Sequence, residues 1–103
     1  MSRYYDRNGK PMDLMTWATT FEKGDRHVGN TVIMSQHGAP EGVRVSTVWL
    51  GLDHSFGEGP PLIFETMVFG GEHDDYTERY STEAQAKKGH ARIVKAIKAG
   101  KAP

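Results

Sequence analysis

Two apolar runs joined by a short polar loop occupy residues 43–69, VRVSTVWLGLDHSFGEGPPLIFETMVF. The runs at 43–52 and 62–69 are rich in β-branched and aromatic residues, which favour strands over helices. Pro60 and Pro61 precede the second run, where a missing backbone N–H costs the least. The pattern therefore predicts an antiparallel hairpin with a loop at 53–61.

The register of this hairpin determines which side chains share a face. Placing Leu50 opposite Phe64 gives a nearly all-apolar face that we expect to hold the C-terminal helix: Val48, Leu50, Leu52, Leu62, Phe64, Thr66 and Val68. The opposite face then carries Val45, Thr47, Trp49, Ile63, Glu65, Met67 and Phe69. A half-solvated sheet alternates apolar and polar residues, and this hairpin does not. We therefore expect the second face to be covered as well, by the N-terminal helix or by another copy of the protein.

The flanking segments predict the remaining elements. Asp13 is placed to cap a short N-terminal helix that Gly24 ends. Strands are expected at 28–34 and at 76–80, and a helix at about 84–99. The sequence thus predicts an α+β fold in a single small domain (1–103), with a mainly antiparallel sheet of about four strands. The C-terminal helix packs on one face, with a short N-terminal helix nearby.

The C-terminal helix has the clearest signals. Thr82 and Gln85 fit a capping box, and an apolar stripe consists of Ala86, His90, Ile93, Val94 and Ile97. His90 is expected to be a core histidine bonded to a backbone carbonyl. Gly89 lies in the helix interior, where glycine costs about 1 kcal/mol relative to alanine. We therefore predict that the helix approaches its neighbour closely at Gly89.

Composition excludes several classes of protein. The 103 residues include 13 Lys and Arg and 13 Asp and Glu, so the formal net charge is zero. A general nucleic-acid binder normally carries a basic excess, so that class is disfavoured. There is no cysteine, no apolar leader segment and no run of membrane-spanning length. These features lead us to expect a cytoplasmic protein, and zero net charge permits self-association.

Five residues are candidates for a binding site: Trp49, Asp53, His54, Phe56 and Glu65. Glu65 is a carboxylate within an apolar strand, so it needs a partner, a raised pKa or a functional role. The structural interpretation pairs it with Arg44, Arg79 or a lysine of a neighbouring strand. For the loop at 53–61, two interpretations stay open. It forms a recognition surface on a rigid base, or Asp53 caps the turn while Phe56 folds onto the core.

The same residues offer little basis for metal or covalent chemistry. Asp53, His54, His73 and Asp74 could act as ligands, but His54 and His73 follow opposite ends of the hairpin. Eight strand residues separate those ends by about 26 Å. Ser55 is merely adjacent to His54, and no nucleophile motif or nucleotide-binding loop is present. We therefore expect no bound metal, no cofactor and no catalytic residue.

Three segments carry a resemblance to a known family: YYDRNGKPMDLMTWA, STVWLGLDHSFGEGPPLIFETMVFGG and RYSTEAQAKKGHARIV. Together they resemble a family of small uncharacterised proteins common in bacteriophages and prophages, especially those of actinobacteria. The resemblance implies a phage origin and a setting in the cytoplasm of an infected bacterium. It implies no reaction and no catalytic residues.

The expected function is therefore that of a non-enzymatic phage accessory protein, a protein-binding or regulatory module that acts on a phage or host protein. The expected partners also include further copies of the chain. One alternative is a small hydrolase or ligand-binding enzyme centred on Glu65, Asp53 and His54. Another is a minor virion or assembly component. An enclosed pocket around Glu65 would favour the enzyme, and a flat, apolar, self-complementary patch would favour the binding module.

Overall fold

A computed structural model describes residues 3–34, 42–55 and 59–103. The elements are β1 (Tyr4–Tyr5), β2 (Pro11–Met12), α1 (Leu14–Lys23), β3 (His27–Ile33), β4 (Val43–Trp49), β5 (Phe64–Phe69), β6 (Thr77–Tyr80) and α2 (Glu83–Lys98). The predicted α+β class is confirmed, with a four-stranded antiparallel sheet, a C-terminal helix packed against it and an N-terminal helix. Within the described ranges, no helix is long and apolar enough to cross a membrane.

The main sheet has the strand order β3-β4-β5-β6, so each strand pairs with its neighbours in sequence. The sequence did not predict a second, two-stranded sheet, in which β1 pairs with β2 around the turn at Asn8 and Gly9. Gly9 has a φ of 83°, a conformation that glycine adopts without strain. A bridge between Tyr4 and Leu52 attaches this small hairpin to the segment that follows β4.

The hairpin register differs from the prediction by one residue. Trp49, and not Leu50, lies opposite Phe64. The β4 strand ends at Trp49 because Gly51 has a φ of 73°, and the amides of Leu50 and Gly51 both donate to the carbonyl of Ile63. The predicted faces are therefore wrong for β4 and right for the second strand. The face toward α2 carries Val43, Val45, Thr47, Trp49, Phe64, Thr66 and Val68.

Both helices pack on that one face of the sheet. The α2 half of the core contains Ile33, Val43, Val45, Val68, Ile93 and Ile97. The other half contains Trp49, Ile63, Phe64, Tyr80 and Ala86, with Trp17 and Phe21 of α1 packed against it. The expectation that the N-terminal helix covers the second sheet face is wrong. The aromatic residues of α1 contact Trp49, and the Trp49 side chain lies on the sheet face that both helices cover.

The α2 helix begins as predicted. The Thr82 side chain accepts from the amide of Gln85, whose own side chain accepts from the amide of Thr82, so the capping box is present. Gly89 is buried against β6, and a Cβ at this position would overlap the Tyr80 side chain. The predicted close approach is therefore confirmed.

Candidate functional site

Asp53 is occupied as the cap of its own loop. Its carboxylate accepts from the amide of Ser55 at 2.8 Å, from the hydroxyl of Ser55 at 3.0 Å and from the amide of Leu62 at 2.9 Å. Burial raises the pKa of Asp53, but these hydrogen bonds outweigh burial and hold the pKa below its usual value. The His54 amide donates to the carbonyl of Leu62. The capping interpretation of Asp53 is thus confirmed, and Phe56 lies outside the described residues.

Glu65 has the partner that the structural interpretation required. Arg79 lies opposite it on β6, with Nε 3.1 Å from the Glu65 carboxylate. Within the described ranges, no hydrogen bond or ion pair joins Glu65 to Asp53 or His54. Glu65 is therefore not linked to the other two residues of the alternative enzyme site.

Trp49 belongs to the core. Its side chain is 2% exposed, and its indole N–H donates to the carbonyl of Tyr5 at 3.2 Å. This geometry leaves little of the ring available to a ligand. Metal-ligating side chains do not converge either, because the described part of the chain contains no group of three His, Asp or Glu residues able to hold an ion.

The sheet face away from the helices is open in the described structure. This open sheet face consists of Asn30, Val32, Arg44, Ser46, Val48, Glu65, Met67, Phe69, Thr77 and Arg79. Val32 is 56% exposed and Phe69 is 37% exposed. The Arg44 guanidinium lies 4.4 Å from the centre of the Phe69 ring. The face thus mixes four apolar side chains with six polar or charged ones, and Arg44 lies between Val32 and Phe69.

A second candidate site lies under α2, where five side chains form a hydrogen-bonded series: Thr31, His90, Thr47, Thr66 and Tyr80. In this polar network, His90 Nε2 lies 2.8 Å from Thr31 Oγ1 and His90 Nδ1 lies 2.8 Å from Thr47 Oγ1. Thr47 Oγ1 lies 2.5 Å from Thr66 Oγ1, which accepts from the Tyr80 hydroxyl at 3.1 Å. His90 is therefore a core histidine, but threonine hydroxyls replace the expected backbone carbonyl.

The direction of the polar network depends on the tautomer of His90. The Tyr80 hydroxyl donates to Thr66, and either Thr47 or Thr66 can be the donor in the bond between them. With its ring hydrogen on Nε2, His90 donates to Thr31 and accepts from Thr47; with the hydrogen on Nδ1, it donates to Thr47 and accepts from Thr31. In both tautomers each ring nitrogen is bonded to a threonine hydroxyl.

Two glycines make room for the polar network. A Cβ at Gly29 would lie 3.0 Å from the His90 ring, and a Cβ at Gly89 would overlap the Tyr80 ring. Burial lowers the pKa of His90, since no described carboxylate or other anion faces the ring to offset the loss of solvation. The chain thus maintains a neutral, oriented imidazole at the junction of β3, β4 and α2.

Charged groups surround the Tyr80 end of the network. Glu78 accepts from Arg92 and, at 2.6 Å, from the Tyr76 hydroxyl. Burial raises the pKa of Glu78, but these bonds outweigh it and lower the pKa overall. Burial also raises the pKa of Tyr80, which keeps its hydroxyl protonated as a donor. This end of the network is thus held in one protonation state at neutral pH.

Comparison of the chain with protein-family models, curated proteins and solved structures finds no match.

The polar network predicts a pH-dependent stability. Because folding lowers the pKa of His90 below 6.5, the unfolded chain binds the proton first as the pH falls. We expect the free energy of unfolding to decrease as the pH is lowered from about 7.5 to about 5.5, and urea titrations at both values measure this decrease. His90→Gln keeps a donor and an acceptor but does not titrate, so its decrease should be smaller. Equal decreases in the two proteins would contradict the prediction.

Proposed function

We propose that the chain is a non-enzymatic protein-binding or regulatory module that acts through the open sheet face. The observation that carries this proposal is the exposure of Val32 and Phe69, on either side of Arg44, on a sheet face that neither helix covers. Sheet faces that expose apolar side chains next to arginine are typical of protein interaction surfaces. A second copy of the chain is the first partner to test, since zero net charge gives little repulsion between copies.

The wider biological role rests on the resemblance to phage and prophage proteins. It suggests an accessory protein in the cytoplasm of an infected bacterium, acting on a phage or host protein. Enzymatic alternatives receive less support, because Asp53 caps a loop and Glu65 pairs with Arg79. A virion or assembly role would use the same face to join copies of the chain.

Val32→Glu is expected to remove self-association. At micromolar concentration, light scattering after gel filtration should give the wild type a mass above the 11.5 kDa of one chain, and the variant a mass close to it. A carboxylate on the open sheet face would have to be buried without a partner in the complex, which costs several kcal/mol. Met15→Glu is the matched control, because Met15 is 75% exposed on α1, which packs on the other side of the sheet.

A photo-crosslinking residue at position 32, compared with one at position 15, extends the test to other partners. In extracts of infected cells, position 32 should give a discrete product, and position 15 should not. A wild-type protein that is strictly monomeric would contradict the prediction of self-association. A monomeric wild type with no product specific to position 32 would overturn the use of this face.

A further inference from the structure

The strand β3 is an edge of the main sheet, and part of its backbone points away from the sheet. The Trp49 amide of β4 donates toward β3, to a carbonyl just before that strand. Because alternate residues of a strand direct their backbone groups to the same side, Val45 also bonds toward β3, and its partner Thr31 bonds toward β4. The residues on either side of Thr31, Asn30 and Val32, therefore direct their amides and carbonyls outward.

These outward groups form an open β3 edge at residues 30–32. Among the described residues, no hydrogen-bond partner takes them, and the side chains of Asn30 and Val32 are exposed. At the start of β3 the chain supplies its own partner, because Arg7 donates to the carbonyls of Asp25 and His27. The open β3 edge is thus confined to the later part of the strand.

The other edge strand, β6, has protection that β3 lacks. It has four residues, and its charged pair Glu78 and Arg79 bonds to Arg92 and Glu65. Natural sheets discourage strand addition with short edges, charged side chains and proline. The segment 28–33 of β3 contains neither a charged residue nor proline. Of the two edges, β3 is therefore the one that is open to an added strand.

A groove between β3 and α2 lies beside the open β3 edge. This β3–α2 groove is apolar at Ala91 and Val94 and, further along α2, is lined by Lys95 and Lys98. No ion pair within the described ranges engages either lysine. Alternate side chains of an added strand would enter the groove. An apolar side chain fits beside Ala91 and Val94, and an acidic one complements the lysines.

We propose that the open β3 edge binds an extended segment of a partner protein, which pairs with β3 as an added strand and faces Lys95 and Lys98 with acidic side chains. Main-chain hydrogen bonds to Asn30 and Val32 supply affinity, and the β3–α2 groove supplies selectivity. The surface is distinct from the open sheet face, because it uses the outer backbone of β3.

Charge favours such a partner over a second copy of the chain. The α2 helix carries five basic residues and one acidic residue. Antiparallel pairing of two β3 strands would place two α2 helices on the same side of the joined sheet. Their like charges would oppose the contact, whereas an acidic segment is attracted to it.

Titration of the full chain with the peptide acetyl-SETVTES-amide, followed by NMR and amide hydrogen exchange, tests the proposal. The peptide reads the same in both directions, so its valine and glutamates share one side in either orientation. At saturation, exchange of the Asn30 and Val32 amides should slow about tenfold, and that of the Thr31 amide should change less. The charge-reversed peptide acetyl-SKTVTKS-amide should bind about fivefold more weakly.

Variants separate backbone pairing from charge attraction. Asn30→Pro removes an outward amide and should weaken binding about tenfold, whereas Thr77→Pro, at the first residue of β6, is the matched control. Lys95→Glu combined with Lys98→Glu should reverse the preference between the two peptides. Phe69→Glu changes the open sheet face alone and should leave peptide binding intact.

Three results would overturn the proposal. The first is equal affinity for the two peptides, and the second is unchanged exchange of the Asn30 and Val32 amides at saturation. The third is slower exchange of these amides as the protein concentration rises without peptide, which would assign the edge to a second copy. Loss of peptide binding in Phe69→Glu would place the peptide on the open sheet face and would also refute the assigned edge.

Discussion

Replacing Gly89 with alanine is expected to lower the free energy of unfolding by about 1–3 kcal/mol, the usual cost of overpacking. In an open helix the same change would stabilise by about 1 kcal/mol, because alanine has the higher helix propensity. At Gly89 the added methyl group would overlap the ring and hydroxyl of Tyr80, which also bonds to Thr66. Relief of the clash must move α2 away from β6 or break the polar network.

Urea titrations of wild type and Gly89→Ala test this prediction by the sign of the difference in the free energy of unfolding. Lys88→Gly compared with Lys88→Ala gives the propensity difference at the neighbouring exposed position and serves as the control. Gly89→Leu should be more severe than Gly89→Ala. A stabilised Gly89→Ala protein would refute the close packing of α2 against Tyr80.

Trp49→Ala is expected to lower the free energy of unfolding by about 3–5 kcal/mol, because it empties a large buried volume. Trp49 is 2% exposed and shares a core cluster with Phe64 and with the α1 residue Phe21, whose ring centre is 6.1 Å away. Its indole also donates to the carbonyl of Tyr5, so the substitution removes one of the hydrogen bonds that attach the N-terminal segment. Thermal and urea unfolding measure the loss.

A protein of this size can lose its fold entirely through such a change, since domains are stable by about 5–15 kcal/mol. Trp49→Phe keeps part of the ring and should cost less, so it preserves a measurable transition. Met15→Ala is the surface control and should change stability by less than about 0.5 kcal/mol. A Trp49→Ala protein as stable as that control would show that this half of the core contributes little.

The helices were the most predictable elements because their signals are local. Asp13 accepts from the amide of Thr16 and caps α1, and the Thr82 capping box opens α2, as predicted. The stripe on α2 also matches, with Ala86, Ile93 and Ile97 buried against the sheet. Caps and periodicity act within one or two turns, so a single sequence contains the information that they need.

The hairpin register could not be obtained from apolar patterning. Val45 and Trp49 lie on one alternation of the first strand, and Val48 and Leu50 lie on the other. Either alternation supplies an apolar face, so hydrophobicity does not distinguish registers that differ by one residue. The positive φ of Gly51 ends the regular ladder at Trp49, and glycine alone in the sequence does not specify its conformation.

The candidate sites were predicted unevenly for a related reason. Capping by Asp53 and the pairing of Glu65 with Arg79 involve residues close in sequence or on adjacent strands, and both were foreseen as alternatives. The partners of His90 were not, because Thr31 and Thr47 look like ordinary strand formers in the sequence. Two glycines inside regular elements were the available signal, since Gly29 lies against His90 and Gly89 lies against Tyr80.

The attachment of the N-terminal hairpin has a consequence for the order of folding. The four main strands close only loops between sequence neighbours, so their hydrogen bonds can form early. By contrast, Tyr5 bonds to Gly51, and the Trp17 indole bonds to Leu50, across more than 30 residues. These long-range contacts form more readily once the sheet has formed. We infer that the segment 3–24 docks last and is released first, so its amides exchange with solvent before those of β4 and β5.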